Sequence, residues 1–264
     1  RRRELTNFEY LLAVNFLAGR TINDITQFPI FPWVLADYTS ETLDFTNEAQ
    51  TFRDLRLPVG VGGPNSANRK DEVAMRYDEM REMGDEPFHY FTHYSSPAVA
   101  LYFLIRVEPF TTGQLLLQGG RFDWADRMFH SFPASWKGVT SNIQDVKELV
   151  PHCYFFPEMF QNGNSVEFGP KQDKENMTDV VLPPWANGSS HQFVQIMREA
   201  LESEYVSSNL HHWVDLIFGH KQRGSAAAES CNLFHPHTYE PNVNGQGHLP
   251  PAMVEEPHLR TEVI

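Results

Sequence analysis

His89 and His93 stand four residues apart. On a helix, that spacing places two imidazoles on one face, where they could hold a zinc ion. The hydrolytic version of this arrangement needs a glutamate directly after the first histidine as general base. Here that position is Tyr90, and Pro87 just upstream disfavours a helix. Cys231, His235 and His237 form a second crowd of potential ligands, to which only folding could add His211, His212 or His220. A zinc site requires three or four converging donors whose orientation is fixed by outer hydrogen bonds. The two clusters make a metal-dependent hydrolase the alternative reading of this chain. The simpler expectation is packed or hydrogen-bonded histidines, with no metal and no cofactor.

Other chemistry is less well supported. No Gly-x-Ser-x-Gly elbow presents a nucleophilic serine. Cys153 is followed by Tyr154, Phe155 and Phe156, a setting that raises a thiol pKa and makes it inert. Glu108, Asp123, Asp126 and Glu148 each have a basic residue nearby to pair with, so structural ion pairs are expected of them. The glycine-rich run 60–66 lacks the Gly-Lys-Ser/Thr of a phosphate loop, and no dinucleotide fingerprint, kinase motif set or basic nucleic-acid stripe occurs. No catalytic residue is therefore assigned. Lys221 and Arg223 stand just past a helix end and admit two readings. Their charge could serve the helix dipole, or it could form an exposed basic contact for a partner.

The elements that must position these residues follow from patterning. Thr6-Asn-Phe-Glu9 is a capping box, opening a helix whose face is Phe8, Leu11, Leu12, Asn15 and Phe16 and which Gly19 ends. Asn15 on that apolar face must find hydrogen-bond partners. From Arg20 to Val61 periodicity fails. Pro29 and Pro32 break helix and ladder alike, yet the Phe, Ile, Trp and Leu content says that the segment is packed. It can run extended through the interior only if side chains satisfy its amides, a role predicted for Asn23, Asp24, Gln27 and Asp37. The pattern predicts an amphipathic helix over 71–83, with Glu72 and Arg76 paired at i,i+4. A helix apolar on all sides follows from Pro97 to Ile105, too short to cross a bilayer and suited to a protein core. Further on, a helical face is expected at Phe122, Ala125, Met128 and Phe129, a short helix opening at Ser141, an extended run at 153–157 and a strand-like run at 179–182. Two good helices are expected over 191–205 and 209–218, and a small-residue helix over 225–231.

At 264 residues, with 41% hydrophobic and 13% aromatic content, the chain can bury a sizeable core. A net charge of −13 argues against nucleic-acid binding and against electrostatic docking on anionic lipid. Two cysteines imply no disulfide framework, and a reducing, cytoplasmic compartment is the default. No signal peptide or membrane-spanning run is seen. The abrupt start reads as a piece of a longer protein, organised as one domain over 1–240 followed by a linker or mobile tail over 241–264.

Seven blocks carry a resemblance. They are HYxTHYSS from His89, LIRxEPFT from Leu104, LQGGxFDxADRxF from Leu117, DVKELxP from Asp145, LPPWA from Leu182, ALESxYVS from Ala200, and LHxWxDLIFGxKQRG from Leu210. In this order they resemble the BEACH domain, named for the beige and Chediak–Higashi proteins, over about Leu5 to Tyr239. The resemblance implies a mainly α fold with a core of extended, irregular segments and little β-structure. It implies a non-catalytic scaffold or adaptor within a very large protein, linked to vesicle trafficking, lysosome-related organelles and autophagy. An upstream pleckstrin-homology-like domain and a downstream WD-repeat propeller would be its partners in cis, and trafficking proteins its partners in trans. Membrane association would be at most peripheral, on endosomal, lysosomal or other vesicles and through other domains. The chain departs from the family's usual pattern at Phe91 and Pro241, where glycine is usual, at Trp124, where histidine is usual, and at Asn242-Val-Asn-Gly, where an acidic-aliphatic exit is usual.

Overall fold

The computed structural model describes residues 4–64 and 66–239. The tail expected over 241–264, Pro241 included, lies outside the described residues. Among those described, helices α1 (Asn7–Leu17), α2 (Glu48–Thr51), α3 (Ser66–Met83), α4 (Pro97–Leu104), α5 (Phe110–Leu117), α6 (Phe132–Ser141), α7 (Ser190–Leu201), α8 (Glu204–Ile217) and α9 (Gly224–Glu229) surround irregular chain. Among the described residues strand pairing is limited to isolated bridges such as Phe31 with Leu149 and Leu35 with Phe52. The fold is mainly α, with extended segments at its centre.

The centre is the proline-broken segment. Phe28 to Leu35 is buried throughout, so each backbone polar group there must be matched from elsewhere. Asn15 supplies three bonds: its Nδ2 donates to Leu11 O and Ile30 O at 2.9 Å each, and its Oδ1 accepts the Ile30 N–H at 2.8 Å. Phe31 exchanges both backbone bonds with Leu149. Tyr154 Oη donates to Pro32 O, Arg20 Nη1 to Phe28 O, and the Arg53 N–H to Val34 O. The prolines are tolerated because no ladder asks them for a donor.

Around this core sit the rings of Trp33, Tyr38, Phe103, Phe132 and Trp136, with centroids 5.0–6.3 Å from that of Trp33. Helix α4 is buried at Ala100, Leu101, Phe103 and Leu104. It packs on α5 closely enough that a Cβ at Gly113 would fall 2.7 Å from Leu101 Cδ2. Arg106, just past α4, is buried and donates to Thr178 O and Phe129 O. Burial lowers its pKa to about 10.

Several local expectations are corrected. Phe16 and Leu12 lie on the solvent side of α1, because the helix docks through Leu11, Asn15 and the edge of Phe8. Pro109 stands at the N-cap of α5. The helical face expected from Phe122 shrinks to a 3₁₀ turn, Ala125–Arg127, bounded by non-helical backbone at Trp124 and Met128. The helix expected from Ser141 is instead the end of α6, and the chain beyond runs extended, with the Glu148 N–H on Tyr94 O. The run 153–157 is not extended: 3₁₀ turns Pro151–Tyr154 and Pro157–Phe160 each open on a proline. Glu72 pairs with Arg69, whereas Arg76 reaches Phe88 O and His89 O. The strand-like 179–182 makes a single bridge, Val181 with Ser131. The C-terminal helices divide at Glu202 and Ser203, where Ser203 Oγ accepts the Val206 N–H and opens α8 earlier than its apolar stripe suggests.

Candidate interaction surface

The histidines are spent inside the fold. His89 is buried, its Nδ1 accepts the Leu233 N–H at 3.1 Å, and its ring stacks on Tyr77 at 4.6 Å. His93 packs against Tyr94 and Phe234, with Nδ1 2.9 Å from Ser95 O. Burial pushes both pKa values down to about 4, helped at His89 by the nearby Arg76 charge. These are neutral rings in an aromatic setting. His235 accepts the His237 N–H as a turn cap, and Cys231 is buried, its thiol pKa raised by burial. Among the described residues no three His, Cys, Asp or Glu side chains group as a metal site. Burial also raises the Cys153 thiol pKa.

The carboxylates are likewise engaged, but among the described residues Glu108 and Asp126 lack the ion pair expected of them and bond neutral groups instead. Glu148 takes Arg53 Nη1 at 2.9 Å on both oxygens, the Trp33 N–H and Trp213 Nε1 at 3.1 Å each. Asp123 meets Arg127 at 3.4 Å, Asp126 accepts the Gln172 N–H, and Glu108 accepts from Thr112.

Of the predicted polar anchors, Asp24 accepts the Thr26 N–H at 2.9 Å and caps the turn Ile25–Gln27. Asp37 accepts the Thr39 and Ser40 N–H groups at 3.0 Å, while its carbonyl receives Trp185 Nε1. At Gln27 the bond shown is the main chain's own, its carbonyl accepting the Thr21 N–H. Asn23 is a correction. Its exposed side chain makes no bond among the described residues, and its own N–H is received by Thr21 Oγ1 at 3.3 Å. Threonine turn chemistry replaces the side chain expected there.

Lys221 and Arg223 occupy a corner built at the C-terminus of α8. Gly219 permits it, since a Cβ there would lie 2.8 Å from Asp215 Cα. The last carbonyls of α8 are satisfied by neutral groups: Gln222 Nε2 and Tyr94 Oη donate to Ile217 O, and buried Asn232 donates to Leu216 O and, past the helix, to Lys221 O. Capping therefore falls to Gln222, Asn232 and Tyr94. The exposed Arg223 guanidinium lies 5.8 Å over the Tyr239 ring. His211 and His212 stand together on α8, ring centroids 3.9 Å apart. Burial, and then the charges of His211, Lys221 and Arg56, lower the His212 pKa. The corner brings Lys221 and Arg56 close to His212, with Asp54 on Arg56 and Asp215 beside His220 as partial counterweights.

Sequence reasoning missed the buried bases Arg53 and Arg106 and the ring over Arg76. Phe91, exposed, has its ring centroid 4.6 Å from the Arg76 guanidinium, and the Phe88 ring lies 5.2 Å from it. No helix among the described residues is long and apolar enough to cross a membrane.

A model of the Beige/BEACH domain family matches residues 1–258. BEACH domain-containing protein B of Arabidopsis thaliana is 53% identical over 244 residues, covering 92% of this chain and 9% of that protein. WD repeat- and FYVE domain-containing protein 4 of Mus musculus is 50% identical over 247 residues, covering 92% and 8%. Beige protein homolog 1 of Schizosaccharomyces pombe is 49% identical over 244 residues, covering 90% and 9%. The chain thus spans less than a tenth of the length of the curated relatives it matches.

Proposed function

The chain belongs to the Beige/BEACH domain family, and from that premise we propose that residues 1–240 act as a non-catalytic scaffold within a larger protein of vesicle-trafficking, lysosomal or autophagy pathways. The observation that carries this reading is the cationic corner of Lys221 and Arg223. Its side chains are not consumed by the helix end beside them, whereas the candidate catalytic and ligating groups are consumed by packing. A contact there would steer acidic partners toward an otherwise acidic body. The names of relatives support a multidomain setting: the mouse protein carries WD repeats and a FYVE domain. By analogy, this domain would dock a pleckstrin-homology-like neighbour and a WD-repeat propeller in cis and trafficking proteins in trans, working in the cytoplasm on the face of vesicle membranes.

The test is binding of the 264-residue chain to the segment preceding it in the full-length protein, with and without Lys221→Glu/Arg223→Glu. Association weakened at least tenfold by the charge reversal is the expected result. Association unaffected by it would remove the corner from the reading, and no association would count against the cis scaffold itself. A metal-dependent hydrolase would instead declare itself by stoichiometric zinc that is lost on His93→Ala.

A further inference from the structure

Helix α1 carries several of the exposed large apolar side chains. Phe16 is 77% exposed, and Leu12 and Leu17 join it on α1. Phe8, Leu12 and Phe16 are successive one-turn neighbours and so follow one line along the helix. At the start of that line Phe8 meets Phe155 edge-on at 5.9 Å and carries the Arg198 guanidinium 3.9 Å over its ring. Beside it opens a groove of about 600 Å³ lined by Tyr154, Phe155, Pro157, Val194 and Arg198, with His191 and Gln195 beside them. The apolar stripe of α1 therefore runs into an apolar groove between α7 and the turns at 151–160, a contiguous patch of the kind that marks an interaction site.

The charges at its edges define what it can receive. Arg198 is already occupied, with Nε 3.3 Å from Glu202 Oε1, and Glu202 caps α1 through the N–H groups of Asn7 and Phe8. The exposed carboxylates around it are Glu9 on α1, which also closes the capping box on Thr6, Glu199 on α7, whose Oε1 accepts from Gln195, and Glu158 on the turn at 157–160. An anionic bilayer would be repelled by this edge. A second copy of the chain would set like charges against one another. We propose that the α1 stripe and the Phe155–Val194 groove bind an amphipathic helix of a protein partner, with an apolar stripe flanked by Lys or Arg. The partner helix lies along α1 for about three turns and seats one apolar anchor in the groove. This is independent of the cis docking above.

A phage-displayed library of helices, with Leu, Phe or Ala along the stripe and Lys, Glu or Ser free at the flanks, is panned on the 264-residue chain against excess Leu12→Ser/Phe16→Ser competitor. Both substitutions fall on the solvent side of α1, and circular dichroism checks that the fold is kept. Enrichment of Lys flanks supports the proposal if the selected peptide also binds at least tenfold more weakly to the double variant and to Glu199→Lys. No enrichment, enrichment of Glu flanks, or equal binding to the variants overturns it. So does a chain dimer that Phe16→Ser dissolves, since the face would then belong to a second copy.

Discussion

Arg53 Nη1 lies 2.9 Å from both carboxylate oxygens of Glu148, a residue 95 positions later, and the two side chains are 0% and 2% exposed. Glu148 also holds the Trp33 N–H and Trp213 Nε1, and Arg53 Nη2 donates to Leu57 O. One buried pair therefore joins the proline-broken segment, the chain before α3, the run after α6 and helix α8.

Removing one member of this pair leaves the other charge buried and uncompensated, which costs about 3–5 kcal/mol. Glu148→Leu and Arg53→Met should each lower unfolding stability by that order in urea titrations. The double variant should be less destabilised than the sum of the two, because both desolvated charges then vanish together. Strict additivity would mean that the two side chains do not interact.

Asn15 presents the same logic without charge. Asn15→Leu suits the volume but leaves the Ile30 N–H and C=O buried without their partner, at about 1–3 kcal/mol for each orphaned group. Leu12→Ser, one turn away on the exposed side, should change stability by less than about 0.5 kcal/mol. The contrast between these two positions, read by thermal unfolding, checks which side of α1 faces the core.

What could be read from the chain depended on the range of each interaction. The capping box at Thr6 and Glu9 is written within four residues and formed as spelled. Asn15 was conspicuous because a polar group interrupted an apolar face. The irregular core was legible from prolines set among aromatics. The Arg53–Glu148 pair was not, since nothing in sequence links a base to one particular carboxylate 95 positions away. Helix α6 carried a signal that could have found it: Ser131 accepts the Ala134 N–H as N-cap and proline occupies the first turn. The outward turn of Phe16 was hidden for a different reason. Periodicity identifies an apolar face but does not say how wide a stripe the neighbours will cover.

The buried histidines make stability depend on pH. His89, His93 and His152 have folded pKa values near 4, all depressed first by burial, against 6.5 for the free side chain. Below 6.5 the unfolded chain binds protons that these rings refuse, so stability falls as pH drops from about 6.5 toward 4 and is fully present above that window. Each group adds a slope of up to about 1.4 kcal/mol per pH unit. His152→Phe should flatten the profile between pH 6 and 4.5 by about one such slope, whatever it does to stability at pH 7.5. An unchanged slope in urea titrations across that range would exclude His152 as one of the groups.

Tyr38 offers a substitution of opposite sign. Its ring is buried among Trp33, Phe132, Trp136 and Trp185, at centroid distances of 5.7, 5.2, 5.6 and 6.2 Å. Its hydroxyl is buried without an acceptor or donor among the described residues. Burial drives the phenol pKa far up, so the group stays neutral and its O–H remains a desolvated dipole. Removing an unsatisfied buried hydroxyl while keeping the ring discards a penalty of about 1–3 kcal/mol and leaves the packing intact. Tyr38→Phe should therefore raise the midpoint of thermal unfolding. Tyr154→Phe removes a hydroxyl equally buried but bonded to Pro32 O, and should lower it. Opposite signs for two identical chemical changes would show that hydrogen-bond satisfaction, rather than burial, decides the cost of a polar group in this core.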